Sequence, residues 1–348
     1  MRRLAVLLAG AVAIVMSTYG AANGAGARSR AELTFTRVSG ESYSVWIANA
    51  DGSAARKFAI RAYGGSLASN GGWLAYSRQD SYKSGLVSLY VVSVFGGKSR
   101  RIGDVRGKRW SPGGAKLAII DAAGLSIVDP ASGTRRRLVH DRQLTQISFS
   151  PDGRAVAYAR SNGRAGAEFR SDIFVVRLSD GVITRLTHEG HSASPLWGPE
   201  WIVYQRLRWA GGLAPQGRLW LMRPDGSEKR MFARGAEVLR DRFPVFGLDP
   251  LALSDDGRHL LACQAFEFGC PRVTFTVPGG KRYGFPELRE LERKQGATPV
   301  DLSGDGARVL LDVGSPHDDR HHGIYEIPFA GGRLRLIADN AIEAEWRR

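Results

Sequence analysis

The chain has 348 residues, 43% of them hydrophobic, with a formal charge of +15 and two cysteines. That length allows two ordinary domains or one closed array of repeats, and the cysteines lack the spacing partners of a zinc site. Arginine outnumbers lysine 41 to 8, a bias closer to a GC-rich genome than to a selected site, so the charge alone does not specify an acidic partner.

The first thirty residues carry two arginines, an apolar run from Leu4 to Met16 and small residues ending at Ala25-Gly26-Ala27. This reads as a secretory signal peptide cleaved after Ala27. The alternative, a membrane anchor, needs roughly 20 apolar residues and the run has thirteen. Residues 1–27 are therefore expected to leave, and 28–348 to form one secreted or periplasmic domain. Nucleic acid is not expected as a partner, and a monomer is.

Two phrases then alternate along the chain. The first is a small polar turn before an apolar run: SNGGWLAYSR from Ser69, SPGGAKLAII from Ser111, SPDGRAVAYAR from Ser150, the degenerate SPLWGPEWIVYQR from Ser194, SDDGRHLLAC from Ser254 and SGDGARVLLD from Ser303. Pro151 presets φ for the turn, Asp152 caps it and Gly153 takes the positive φ that ends it. The second phrase is an apolar strand ending in a glycine turn, as in IFVVRLSDG at 173–181, followed by a short basic strand such as ITRLT. It occurs seven times against six of the first. The repeating unit is thus four antiparallel strands. ELTFTR at the start lacks the strand before it, and AIEAEWRR at the end lacks the strand after it, so the two ends complete one unit. The expectation is an all-β, seven-bladed β-propeller closed by the C-terminal strand, with six blades the alternative.

SPDG followed by an AVAYAR-type strand and a DGxxTRLT segment, as in Ser150 to Thr187, resembles the PD40 or WD40-like repeat of the TolB family of propellers. Characterised TolB proteins are periplasmic and six-bladed, carry an N-terminal α/β domain and bind the peptidoglycan-associated lipoprotein. The resemblance therefore implies a non-enzymatic interaction module. This chain departs from that pattern in its expected blade count and has no room for the extra domain. Fold does not fix function, because propellers host many activities.

The a-to-b and c-to-d turns are short, whereas the opposite face carries long connections at 77–85, 160–172, 206–218, 233–250 and 286–299. Variable loops on a rigid scaffold are where binding concentrates, so that face is expected to bind a protein or an anionic envelope polymer. Arg164, Arg170, Arg206, Arg208, Arg240 and Arg242 come from these connections, with Arg160 and Arg218 beside them, and form a candidate cationic sector; Trp209 is the candidate aromatic contact. The arginines and lysines of the outer strands, including Arg100, Arg101, Arg135, Arg136 and Arg137, read instead as edge protection. Trp110, Trp197 and Trp346 read as packing between blades.

A different class of function stays open. His188 and His191 in THEGH, and His317, His321 and His322 in SPHDDRHHG, are metal-ligand types on the same expected face. The oligogalacturonate lyases, seven-bladed relatives with a metal held largely by histidines, imply a metal-dependent enzyme, with manganese as the candidate ion, acting on an acidic glycan. In TolB-like repeats a histidine after LT is a common hydrogen-bonded spacer. No GxSxG elbow supports nucleophilic catalysis, no catalytic residue is assigned and no cofactor is expected on the binding reading. Cys263 and Cys270 are seven apart, compatible with a disulfide across a loop or with two unpaired buried thiols.

Overall fold

The computed structural model describes residues 31–347, except 41, 84–85, 163–168, 209–215, 234–244, 267–271, 286–287, 289–296 and 316–317. The expected signal segment lies outside the described residues. Strands dominate, and no α-helix occurs among the described residues. In chain order they are β1 (Leu33–Ser39), β2 (Ser42–Ala48) and β3 (Arg56–Ile60), then β4 (Ala62–Leu67), β5 (Trp73–Lys83), β6 (Leu86–Ser93) and β7 (Arg100–Trp110). Next come β8 (Leu117–Asp121), β9 (Gly124–Val128) and β10 (Arg135–His140), and the group β11 (Leu144–Phe149), β12 (Ala155–Ser161), β13 (Ser171–Arg177) and β14 (Ile183–Arg185). β15 (Ser192–Trp197), β16 (Ile202–Arg208), β17 (Gln216–Met222) and β18 (Arg230–Ala233) precede β19 (Val245–Leu253), β20 (His259–Phe266), β21 (Arg272–Thr276) and β22 (Arg282–Gly284). The chain ends with β23 (Ala297–Leu302), β24 (Arg308–Ser315), β25 (Asp318–Pro328), β26 (Arg335–Asp339) and β27 (Ala341–Trp346).

Sequence neighbours pair antiparallel within each group, as the alternating phrases require. β27 pairs antiparallel with β1, so the two incomplete ends of the repeat meet in one sheet with the order β27-β1-β2-β3. β7 serves two groups: Arg100 to Val105 pair with β6, and Val105 to Trp110 pair with β8. Of the segment 77–85, expected as a long connection, residues 77–83 instead extend β5, and Lys83 pairs with Leu86. Gly217 and Gly247 form a single parallel bridge between β17 and β19, and Gly247 has a φ of 104°. Backbones approach so closely there that no side chain fits at Gly247.

The serine turn works as a small hydrogen-bond network. Ser150 Oγ accepts from the Ala155 N–H and donates to Asp152, whose Oδ1 accepts from the Arg154 N–H, while Gly153 sits at φ 68°. Ser254 with Asp256, and Ser303 with Asp305, repeat the same bonds. Each copy satisfies polar backbone groups that a tight turn would otherwise expose.

Hydrophobic clusters lie between groups rather than within one. Ile120, Leu125 and Val139 of the β8–β10 group pack with Ile147, Phe149 and Tyr158 of the next. Leu33 and Phe35 of β1 pack with Leu310, Ile324 and Trp346, joining the first and last groups in the same manner. A flat four-stranded sheet has two faces to bury, and face-to-face stacking of successive groups buries both. The expected packing tryptophans do this: Trp110 Nε1 donates to Ser66 O at 3.1 Å, and Trp346 Nε1 to Ala50 O at 3.3 Å. The outer-strand arginines have a further role beyond edge protection. Arg100 Nη1 donates to Ser132 O at 2.7 Å and Arg136 to Leu178 O, each reaching the following group.

Candidate functional site

The first strands of the groups share a special feature. β4, β7, β11, β15, β23 and β27 each carry one extra residue relative to the paired strand, as at Arg106, Gln146 and Val300, and β19 carries two, at Phe246 and Leu251. Such bulges bend a strand and re-aim its side chains. The same strands line the interior. Leu67, Trp110, Phe149, Trp197, Leu253 and Glu345, from six of them, surround one cavity of about 380 Å³ at the end where the serine turns lie.

A second cavity, of about 640 Å³, lies at the opposite end, where β11 begins and β12 ends. This is the end of the long connections. One wall holds Arg106, Lys108 and Arg109 of β7 together with Arg142; the other holds Ser194, Pro195, Asp249 and Pro250. Its volume falls in the range of small-molecule sites. Arg106 Nη1 donates to Arg142 O at 2.8 Å, which holds two of the cationic residues together.

The balance of charge there is unusual for this protein. Outer arginines find carboxylates: Arg137 with Asp121 at 2.7 Å, Arg177 with Asp180 at 2.8 Å, Arg335 with Glu326 at 2.8 Å. Among the described residues Arg106, Lys108 and Arg142 take part in no ion pair. The carboxyl group that does line the cavity, Asp249, is pushed above the ordinary carboxylate range by burial, which its hydrogen bond with Ser194 only partly offsets. Burial thereby disfavours its charged form.

The expected sector is placed differently. Arg206 lies with its guanidinium 4.6 Å over the Trp220 ring, a packing role, and Arg208 ends β16. Arg170 Nη1 donates to the carbonyl of Phe169, and its backbone N–H to Asn162 Oδ1, bracing its own connection. Arg160 pairs with Asp141 at 2.5 Å. Trp209, Arg164, Arg240 and Arg242 lie outside the described residues. The cavity cations Arg106, Lys108 and Arg109 lie on a strand and not on the long connections, and their one signal in the sequence is RGKRW, three cations just before a serine turn where other copies are mostly apolar.

The histidine segment THEGH has a local structural explanation. Asp172 accepts from Thr187 Oγ1 at 2.9 Å, from the Gly190 N–H at 3.1 Å and from Arg185 Nη2 at 2.7 Å, anchoring the segment from both ends. His188 is exposed, and His191 Nδ1 is buried without a hydrogen-bond partner. His321 and His322 lie on β25, and His317 is outside the described residues. Among the described residues no three histidine, cysteine, aspartate or glutamate side chains form a metal-sized group.

With this geometry in hand, comparison of the backbone is decisive for the fold. The β-propeller domain of the Trilobed protease from Pyrococcus furiosus superposes with a TM-score of 0.62 at 13% identity, covering 89% of this chain and 95% of that one. TolB from Acinetobacter baumannii superposes at 0.52 and 13%, covering 90% and 82%. The fold is that of the TolB-like β-propellers. An oligogalacturonate lyase in complex with manganese is a further propeller neighbour, at 0.57 and 13%, covering 88% and 85%. At these identities the likeness concerns the fold alone. No family model and no curated protein matches the chain. No helix among the described residues of this propeller is long and apolar enough to cross a membrane.

Proposed function

We propose that the protein is an exported, non-enzymatic propeller of seven blades, closed by β27 on β1, that holds an anionic group of a protein or cell-envelope polymer at its long-connection end. The observation that carries the reading is the set of cations on the lining of the 640 Å³ cavity that no carboxylate among the described residues pairs, beside a carboxyl group whose titration burial pushes upward. Arg106 and Arg142 are exposed and Lys108 is half-buried, so an incoming anion meets cations that no carboxylate among the described residues already holds. Seven blades are supported by the seven bulged first strands and by the packing of β1 against the last group. Export is supported by the arginines, apolar run and small residues that open the chain. A Cys263–Cys270 disulfide belongs to the same reading, in keeping with the lack of a free cysteine among the described residues.

The test is binding of poly-L-glutamate, measured by calorimetry at low and high salt. Each of Arg106→Glu, Lys108→Glu and Arg142→Glu is expected to weaken binding by about tenfold, the scale of one charge-assisted hydrogen bond. Reversal of Arg177, which pairs with Asp180 on the outer edge, serves as the control. Equal binding by the triple variant and the parent refutes the reading.

A second reading, a metal-dependent enzyme acting on an acidic glycan, draws on one observation, the buried unpartnered Nδ1 of His191. The described donors do not make a three-ligand group, so this reading depends on His317 and His321 joining His188, His191 and His322. Manganese added to chelator-stripped protein would then raise the melting midpoint, and the shift would vanish when the histidines are replaced by alanine.

A further inference from the structure

Asp249 differs from every other group in the cavity. It stands on β19 beside the bulge at Leu251, across from the cationic wall. Its Oδ1 is buried and has no hydrogen-bond partner. Ser194, which bonds to the carboxyl group, sits at the bulge of β15 with a φ of 52°, in the left-handed region that a residue with a side chain rarely adopts. The left-handed φ recurs at the bulges of β4, β11 and β27, at Gly64, Gln146 and Glu343, so the feature peculiar to this point of the lining is the orphaned polar atom beside it.

The surroundings explain the direction in which the carboxyl group's titration moves. The elements packed against β19 offer Tyr204, Arg206 and Arg208 on β16, Arg218 on β17, His259 on β20 and Asp301 on β23 as titratable or charged groups; β15 offers none, and Cys263 on β20 belongs to the disulfide of the reading above. Arg206 is spent on Trp220, His259 lies against the Phe329 ring, and Asp301 Oδ2 accepts from the Trp346 N–H. The cavity adds Arg106, Lys108, Arg109 and Arg142. Burial and Ser194 are what act on Asp249, and burial dominates. A neutral carboxylic acid is a hydrogen-bond donor, which an ionised one is not.

We infer that Asp249, oriented by Ser194, is a hydrogen-bond-donating subsite that takes an uncharged oxygen of an oxyanion ligand whose charge rests on Arg106, Lys108 and Arg142. The ligand class is an acid that also carries a hydroxyl, ether or carbonyl oxygen. This rests on the anion-binding reading above and adds the specificity residue to it. The site binds its ligand together with the proton on Asp249. As pH rises through the elevated titration of that group, the wall gains a negative charge and affinity falls.

Tartrate and succinate test the inference, because they differ only in two hydroxyl groups and both are dianions above neutral pH. Calorimetry on the full mature chain is expected to show tartrate bound about fivefold more tightly, the worth of one net hydrogen bond. Asp249→Leu should erase that preference. Asp249→Asn, which keeps the shape and a donor, should keep the preference and flatten the pH profile of both ligands. An unchanged preference in Asp249→Leu, or the parent pH profile in Asp249→Asn, overturns the role of Asp249 and leaves the cationic wall standing. If neither dianion binds the parent at any pH, the anion-binding reading fails and this inference fails with it.

Discussion

Replacing Trp346 with alanine removes the side chain by which the last strand grips the first group. Trp346 is 4% exposed and packs with Leu33, Phe35, Leu310 and Ile324. Its indole N–H donates to Ala50 O, and the Arg308 guanidinium lies 5.1 Å over its ring. Its backbone N–H donates to Asp301 Oδ2 at 2.9 Å, a bond that the substitution leaves in place. Truncating a buried tryptophan costs about 3–5 kcal/mol, with the cation–π contact adding about 0.5–1 kcal/mol. For a domain of this size each kcal/mol moves the midpoint by about 2–4 °C, so a drop of roughly 10 °C is expected. Circular dichroism at a fixed scan rate reads the drop, and hydrogen exchange reads its location. The amides that pair β1 with β27, from Leu33 to Arg37, should lose protection first. A drop below about 2 °C with β1 still protected would show that β27 does not hold the first group.

Three further outcomes are expected. Asp152 and Asp305 are held below the ordinary carboxylate range by their serine hydrogen bonds, and Asp256 by the same bonds working against burial. A depressed folded-state value stabilises the fold above the unfolded value near ~3.9, and the gain is lost as pH falls through the folded values. Melting midpoints should therefore fall between about pH 5 and pH 2.5, with a shallower slope in the triple asparagine variant; identical slopes would count against these bonds. Gly247→Ala should destabilise by about 3 kcal/mol or more, since its methyl group meets the Gly217 backbone. Gly181→Ala, at φ 76° with open space around it, should cost only about 1–2 kcal/mol, and equal melting losses would refute the contact argument. Without reductant, iodoacetamide should modify neither Cys263 nor Cys270; modification of both would remove the disulfide.

The strand pattern was legible because it is written locally. Ser150, Asp152 and Gly153 satisfy one another within a single turn, so the motif predicts the hairpin without knowledge of anything distant. The unpaired strands at the two ends likewise announced their meeting, which β1 and β27 make. The long connection expected at 77–85 misled because a polar composition does not exclude a hairpin ladder, and Lys83 pairs with Leu86 there. The outer arginines were read as edge protection because their acceptors, such as Ser132 O and Leu178 O, belong to the next group and are invisible in a repeat.

By itself the sequence determined the period, the turn chemistry and the apolar faces, since each depends on residues within hydrogen-bonding or pleating distance along the chain. Only the tertiary structure decided the site. Arg106, Lys108, Arg142, Ser194 and Asp249 are spread over more than a hundred residues and come together because bulged first strands from successive groups line one interior cavity. The state of Asp249 is also a tertiary property. Burial among several strands disfavours its charged form, and no local spacing encodes that.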